Sequence, residues 1–100
     1  MKGDKMAFLL DCVIDDYEVR AVTTGTSRKG NAFKAIKIES QEGHDAEISV
    51  TNSELFSSVD SLRKGDLITC RVLAVSTPKR SYIQLMNAPV KKGNTYVTEY

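Results

Sequence analysis

Apolar and polar residues alternate with a period of two along most of the chain, which is the pattern of half-buried β-strands. In residues 32–40, Ile36 and Ile38 share one face, while Phe33 and Lys37 share the other. If the two isoleucines point into a core, Phe33 and Lys37 must point away from it. The segments with this alternation are residues 17–24, 32–40, 46–51, 66–76 and 81–86.

The N-terminal part of the chain has the same period. In residues 17–24, Val19 and Ala21 fall on one face, and Arg20 and Val22 fall on the other. We interpret residues 1–14 as an N-terminal extension that forms an extra strand or a short helix, and the alternation of its apolar residues favours a strand. These alternating residues are Phe8, Leu10, Cys12 and Ile14.

Residues 52–62 are the one segment whose apolar residues follow a helical period. Thr51 and, three residues later, Glu54 predict a capping box at the start of this helix. Gly65, which follows Arg63 and Lys64, is a typical stop signal. The apolar residues on one face of the predicted helix are Leu55, Phe56, Val59 and Leu62.

The predicted order is therefore three strands, one helix and two strands. This order is that of a mainly β protein with the OB fold, a five-stranded barrel in which the helix between the third and fourth strands closes one end. We expect residues 15–88 to form this domain. Residues 89–100 are interpreted as a polar C-terminal tail, with a weak strand at Tyr96–Val97.

Composition restricts the class of protein. One hundred residues are enough for one domain with one core. The sequence has no apolar run of the ~18 residues that a membrane span needs, and its start lacks the cleavage site of a signal peptide. Cys12 and Cys70 lie in apolar strands without metal-ligand spacing, so we expect both to be reduced and buried in a cytoplasmic protein with no membrane partner.

The net charge of +1 conceals a segregation of charges along the sequence. Residues 19–38 and residues 67–98 contain basic residues and no acidic ones, while the acids collect in residues 1–18 and 39–66. If the two basic segments are neighbours in the fold, they form a cationic surface suited to a polyanion.

The stretch GTSRKGNA, residues 25–32, resembles a phosphate-binding Walker A loop only at first sight. That loop requires a lysine and a hydroxyl residue at its end and must open a helix. Here Asn31 and Ala32 occupy those two positions, and a strand follows. A nucleotide-binding loop is therefore excluded.

A nucleic-acid site agrees better with the expected fold, because the loop between the first two strands of an OB fold borders the binding cleft. Basic residues in this loop can contact phosphates, and aromatic rings can stack on bases. Lys79 and Arg80, in the turn between the last two strands, are expected to border the same cleft or a dimer partner. The candidate nucleic-acid-binding residues are Arg20, Arg28, Lys29, Phe33, Lys37, Lys79, Arg80 and Tyr82.

An enzyme is not expected. His44 is the one histidine, and its neighbours Glu42 and Asp45 are typical of a solvated turn rather than a metal site. A nucleophilic pair would require a cysteine to leave a buried strand, and the adjacent Asp15 and Asp16 cannot share one face of a strand. We assign no catalytic residue, no metal ligand and no cofactor.

The loop GTSRKGNAF, residues 25–33, resembles the loop G-[TV]-S-x-x-G-x-[PA]-[FY] of the small single-stranded DNA-binding proteins of filamentous phages. The resemblance implies that Arg28 and Phe33 contact DNA, and it places Lys29 beside them without a firm match. Asn31 fills the position that is usually Lys or Asn. The chain departs from the family in that Ala32 replaces the frequent Pro, the N-terminus is longer and the helix is more like that of a general OB fold. The resemblance also implies dimers that coat single strands cooperatively.

These observations predict a largely sequence-independent single-stranded DNA-binding protein that coats strands during replication or transfer of a phage or mobile element. One alternative is an RNA-binding OB-fold module. Another is a protein-interaction module that uses exposed Phe33 and Tyr82. We also expect a homodimer, formed either by the edge of residues 6–14 or, as the resemblance implies, near residues 73–83.

Overall fold

The computed structural model describes residues 7–94, and within them the chain forms six strands and one short helical segment. The helical segment lies between β3 and β4 and consists of a 3-10 turn, Ser53–Leu55, followed by helix α1, Phe56–Asp60. The strands are β1 (Phe8–Thr26), β2 (Ala32–Glu39), β3 (Asp45–Val50), β4 (Asp66–Ser76), β5 (Ser81–Leu85) and β6 (Val90–Asn94).

The first five strands close into a barrel. They are hydrogen-bonded in the order β1-β2-β3-β5-β4, and β4 pairs back with β1. All these pairs are antiparallel except β3 with β5, which is parallel. A closed five-stranded barrel with a helix between its third and fourth strands is the OB fold. The predicted fold class is therefore confirmed.

Strand β1 is long because it pairs with two strands, β4 and β2, and so closes the barrel. Residues 8–14 pair with β4, and residues 18–26 pair with β2. Residues 8–14, which belong to the segment predicted as an N-terminal extension, are thus continuous with the first barrel strand. An irregularity between Ile14 and Tyr17 bends the strand there, and Asp16 takes a left-handed backbone with φ of 59°. Such bulges sharpen the turn of a strand around a barrel.

A second bulge corrects the predicted faces of β1. Val19 is opposite Ile38, whereas Ala21 is opposite Lys37, so Arg20 is the extra residue in the ladder. The inserted residue reverses the alternation after it. Val22 therefore packs against the core, and Ala21 shares the outward side with Lys37, contrary to the simple period-two prediction.

The core fills the barrel and continues under α1. Val59 is fully buried and Leu62 nearly so, which confirms that the helical segment closes one end; Leu55 and Phe56 are only partly buried against the core. The buried cluster consists of Val19, Ile36, Ile38, Ile48, Val50, Val59, Leu62, Ile68, Cys70, Val72 and Leu85.

The start of the helical segment differs from the predicted capping box. Asn52, not Thr51, is the capping residue, and its Oδ1 accepts a hydrogen bond of 3.0 Å from the backbone N–H of Glu54. A side-chain acceptor at this position satisfies one of the free N–H groups of the first turn. The predicted helix over 52–62 is also shorter, because α1 ends at Asp60.

The C-terminal region and the cysteines also differ in part from expectation. Residues Val90–Asn94 of the predicted polar tail form β6, which pairs with the start of β4. The weak strand expected at Tyr96–Val97 lies outside the described residues. Both cysteines are free thiols; Cys70 is buried as expected, but Cys12 is only partly so.

Candidate nucleic-acid interface

The outward side of β1, β2 and β3 forms a continuous surface, here called the outer face. Its rows follow from the strand register, in which outward residues stand side by side. The row nearest the β1–β2 loop holds Gly25 and Phe33. The rows that follow are Thr23–Ala35–Ser49, then Ala21–Lys37–Glu47, then Glu18–Glu39–Asp45.

The β1–β2 loop, residues 27–31, is a tight turn that its own sequence fixes. The hydroxyl of Ser27 accepts a 3.1 Å hydrogen bond from the N–H of Asn31, and Gly30 has a left-handed φ of 87° that favours glycine. This turn carries Arg28 and Lys29 at its tip. Both side chains are exposed, and neither forms a salt bridge within residues 7–94.

Phe33 lies at the base of this loop and outside the buried cluster, as the alternation predicts. Its ring packs over Gly25 on β1, where a Cβ atom would stand 2.6 Å from Phe33 Cζ. The ring therefore needs a glycine opposite it. Because the ring is only partly buried, it still offers aromatic surface on the outer side of the barrel.

A cleft of about 480 Å³ separates the β1–β2 loop from the helical segment. We call it the loop–helix cleft. Phe33 and Phe56 contribute its aromatic surface, and Ser27, Asn31, Thr51 and Ser53 contribute polar groups.

Lys34 contacts Phe56, which lines this cleft, and it was not among the residues predicted from the sequence to form the site. Its ammonium lies 5.3 Å from the ring centroid of Phe56 and 2.9 Å from Oδ1 of Asp60, and it donates to Oγ1 of Thr24 at 3.3 Å. Its side chain is 13% exposed. The alternation along β2 could have indicated it, because residue 34 lies on the same inward face as Ile36 and Ile38.

The β4–β5 loop, residues 77–80, carries the second group of predicted basic residues. Thr77 fixes this turn, since its hydroxyl oxygen accepts from the N–H of Arg80 at 3.0 Å. The guanidinium of Arg80 lies 4.9 Å from the ring centroid of Tyr82 and so covers part of that aromatic surface. Lys79 is exposed.

The two basic loops lie at opposite ends of the barrel surface. Strand β5 runs parallel to β3, so the β4–β5 loop is near the start of β3. The β1–β2 loop is near the end of β3, because β2 runs antiparallel to it. Lys79 and Arg80 are therefore separated from Arg28 and Lys29 by the length of the outer face. A single cleft bordered by all four residues would have to run the full length of the outer face.

Ion pairs with acids from other segments neutralise several basic residues of the two acid-free segments. Arg20 lies 3.0 Å from Glu18 and 3.6 Å from Glu39. Arg71 binds Asp11 through two hydrogen bonds, which hold the pKa of that carboxyl below its usual value. Further pairs join Lys91 to Asp66, and Lys92 to both Asp15 and Asp16. Five of the ten basic residues in the two acid-free segments are thus ion-paired, so the cationic surface that the sequence predicts for neighbouring segments is interrupted.

The outer face also changes charge along its length. Lys37 stands opposite Glu47, and the next row consists entirely of acids, Glu18, Glu39 and Asp45. Arg20 and Lys37 thus belong to a mixed, largely acidic region. Arg28, Lys29, Lys79 and Arg80 lie on the loops and form no salt bridge within the described part of the chain, and Arg28 and Lys29 are nearest to Phe33.

Within residues 7–94 there is neither a group of metal-ligating side chains nor a helix that could span a membrane. Across residues 7–94, no three His, Cys, Asp or Glu side chains are grouped so that they could hold a metal ion. His44 is an exposed turn residue 3.9 Å from Glu42. None of the helical segments in this part of the chain has the length and apolar character needed to span a membrane.

Solved structures similar to this chain are those of mitochondrial single-stranded DNA-binding proteins. The protein in each case is Rim1 from S. cerevisiae. One crystal structure matches with a TM-score of 0.71 and 18% identity, over 87% of this chain and 98% of that chain. Two others match with TM-scores of 0.66 and 0.63, identities of 20% and 21%, and coverage of 84% and 86% of this chain and 94% and 92% of theirs.

At 18–21% identity, this likeness establishes the fold. No protein-family model matches the sequence, and no curated protein does. These comparisons therefore assign no functional residue to this chain.

Proposed function

We propose that this protein binds single-stranded DNA with little sequence preference, at the end of the outer face next to the β1–β2 loop. The observation that carries the proposal is the position of Phe33, which lies on Gly25 outside the core, at the base of the loop that bears Arg28 and Lys29. The aromatic ring supplies a stacking surface for a base. The two cations supply contacts for phosphates.

Both interactions are indifferent to sequence. Every base has a π-face, and stacking on an aromatic side chain is worth roughly 1–3 kcal/mol per base. Phosphate contacts repeat along any strand. The fold supports the same function, because OB folds bind oligonucleotides beside this loop, and the structurally similar Rim1 is a single-stranded DNA-binding protein.

The cellular setting is part of the proposal and rests on the sequence GTSRKGNAF. Its resemblance to the filamentous-phage loop supports a role in the cytoplasm, on strands exposed during replication or transfer of a phage or mobile element. Three residues of this loop have a structural role: Ser27 and Gly30 fix the turn, and Gly25 accommodates the ring of Phe33.

A fluorescence titration with labelled oligo-dT, oligo-U and duplex DNA tests the binding function. We expect oligo-dT to bind most tightly, with a log-log salt slope of about −3 if about four phosphates are contacted. Phe33→Ala should weaken binding by about 1–3 kcal/mol, while Val90→Ala, an exposed residue on β6, should leave it unchanged.

The other outcomes are equally informative. Tighter binding of oligo-U would favour the RNA-binding module. Binding of oligo-dT that does not depend on salt would contradict the role of Arg28 and Lys29. Failure to bind any of the three nucleic acids would overturn the proposal and favour the protein-interaction module.

We further propose that the functional unit is a homodimer. The N-terminal half of β1 pairs with β4 along one edge, and no strand within residues 7–94 pairs with its other edge. Four of its apolar side chains are strongly exposed: Phe8 at 66%, Leu9 at 58%, Leu10 at 50% and Val13 at 66%. An open apolar edge of this kind is usually covered by another strand, and a second copy of the chain provides one by twofold symmetry.

Light scattering of the free protein at micromolar concentration tests the dimer. A mass near twice 11.1 kDa is expected, and a mass of 11.1 kDa would contradict it. The double variant Leu9→Lys/Val13→Lys should be monomeric, whereas Val90→Lys should behave as the parent chain does. A dimer that survives the double variant would move the contact to residues 73–83, where the phage resemblance places it.

A further inference from the structure

We propose that Phe56 is a second base-stacking residue and that, with Phe33, it makes the loop–helix cleft a binding site for an unpaired nucleobase. The inference rests on the proposed function, because the ligand is a base of the bound strand. It adds a residue on α1 to the interface, although the sequence pattern assigns that residue to the apolar face of the helix. It also defines a path for the bound DNA strand, from the β1–β2 loop towards α1.

The first support is the composition of the cleft. Two aromatic side chains from different elements, Phe33 on β2 and Phe56 at the start of α1, line the same open space of about 480 Å³. Ser27, Asn31 and Thr51 contribute polar groups to the same lining. Aromatic surface for the faces of a base and polar groups for its edges are the two features by which proteins hold unstacked bases.

The second support is the way in which Phe56 is held. The ammonium of Lys34 lies 5.3 Å from the ring centroid, while Asp60 at 2.9 Å and Thr24 at 3.3 Å fix the ammonium itself. A cation over an aromatic ring at this distance attracts it. Since Asp60 neutralises Lys34, we assign Lys34 a positioning role for the ring rather than a phosphate contact.

The third support is electrostatic. The far rows of the outer face carry four acids, Glu18, Glu39, Asp45 and Glu47, against two cations, Arg20 and Lys37. A phosphate backbone that leaves Arg28 and Lys29 is repelled in that direction. The loop–helix cleft lies on the other side of Phe33, towards α1, and provides a path away from these acids.

The competing explanation is that Phe56 only packs against the core, which it partly contacts. Phe56→Leu separates the two roles, because leucine keeps apolar volume but removes the aromatic face. Phe56→Tyr keeps the face and serves as the rescue variant. Val90→Leu, at an exposed position on β6, is the matched control.

The test is a thermodynamic cycle with oligo-dT strands that carry one abasic nucleotide at successive positions. We expect Phe56→Leu to weaken binding of intact oligo-dT about 5- to 150-fold without changing the salt slope, and Phe56→Tyr to restore it. We expect one abasic position to weaken binding to the parent protein but not to Phe56→Leu. A different position should lose its effect in Phe33→Leu.

The ring proton resonances of Phe33 and Phe56 in the unmodified protein give a second measurement that needs no variant. Both should shift when oligo-dT is added. The inference is overturned if oligo-dT binds, Phe33→Leu weakens binding, and Phe56→Leu and the Phe56 resonances are unaffected. If the unmodified protein binds no oligo-dT, the proposed function fails first and the inference fails with it.

Discussion

The ring of Phe33 lies against the backbone of Gly25 on the neighbouring strand, so closely that a Cβ at Gly25 would stand 2.6 Å from Cζ and 2.9 Å from Cε1 of the ring. The two residues are direct cross-strand partners. A glycine in a strand costs about 0.5–1 kcal/mol relative to alanine. Here that cost leaves room for the end of an aromatic ring on the outside of the barrel, where we propose that it stacks on a base.

Gly25→Ala should therefore separate binding from stability. The new methyl group must push the ring of Phe33 away, but the ring end is free to move and the strand backbone accepts alanine. We expect the free energy of unfolding to stay level or rise by up to about 1 kcal/mol, while oligo-dT binding weakens. In a Phe33→Ala background, Gly25→Ala should have no effect on binding. Equal losses in both backgrounds would show that the ring is not involved.

The predicted basic residues should divide into two classes in binding measurements. Arg28→Ala removes a cation that has no ion pair within residues 7–94, so the log-log salt slope should become shallower by about 0.7. Arg20→Ala removes a cation already paired with Glu18 and Glu39, so the slope should not change. Titrations of both variants at several salt concentrations check this. Identical slopes for the two variants would contradict the division.

The region from the helical segment to Leu62 should be most sensitive to substitution at its buried residues. Leu62 is 5% exposed and lies in the buried cluster, so Leu62→Ala should cost roughly 2–5 kcal/mol of unfolding free energy. Leu55→Ala should cost less, because Leu55 is only partly buried. Ser57→Ala, on the exposed side, should stay within about 0.5 kcal/mol. Urea unfolding of the three variants tests this order, and a Leu55 effect as large as that of Leu62 would contradict it.

The fold could be predicted because its signals are local. The alternation of Ile36 with Ile38 and of Ile48 with Val50 marks strands that each bury one face, and all four side chains are at most 2% exposed. The change of period after residue 51 marks the helical segment. Strand order and the position of that segment then identify the barrel.

What escaped prediction depends on contacts between distant segments. The bulge at Arg20 reverses the faces of β1, and period-two reasoning has no means of seeing an extra residue. Arg71 and Asp11 are 60 residues apart in sequence, and only the β1–β4 pairing brings them together. The candidate site shows the same division, since the turn of residues 27–31 is local, whereas the Lys34–Phe56 contact requires α1 to pack on β2.

The two cysteines should differ sharply in their reaction with thiol reagents. Burial, with a smaller contribution from Cys12, raises the pKa of the Cys70 thiol to about 11. Because the thiolate is the reactive species and the pKa is raised, about one Cys70 in a thousand is ionised at pH 8, and the side chain is also only 3% exposed.

Each single-cysteine variant can be labelled with Ellman's reagent at pH 8 to test this difference. Cys12→Ser, which keeps Cys70, should react only after denaturation. Cys70→Ser, which keeps the partly exposed Cys12, should react in the folded state. The rate for Cys70 should rise as the pH increases from 8 towards 10, because a thiol with a raised pKa is still ionising over that range. Fast labelling of folded Cys12→Ser at pH 8 would mean that Cys70 is accessible and that the barrel opens readily between β1 and β4.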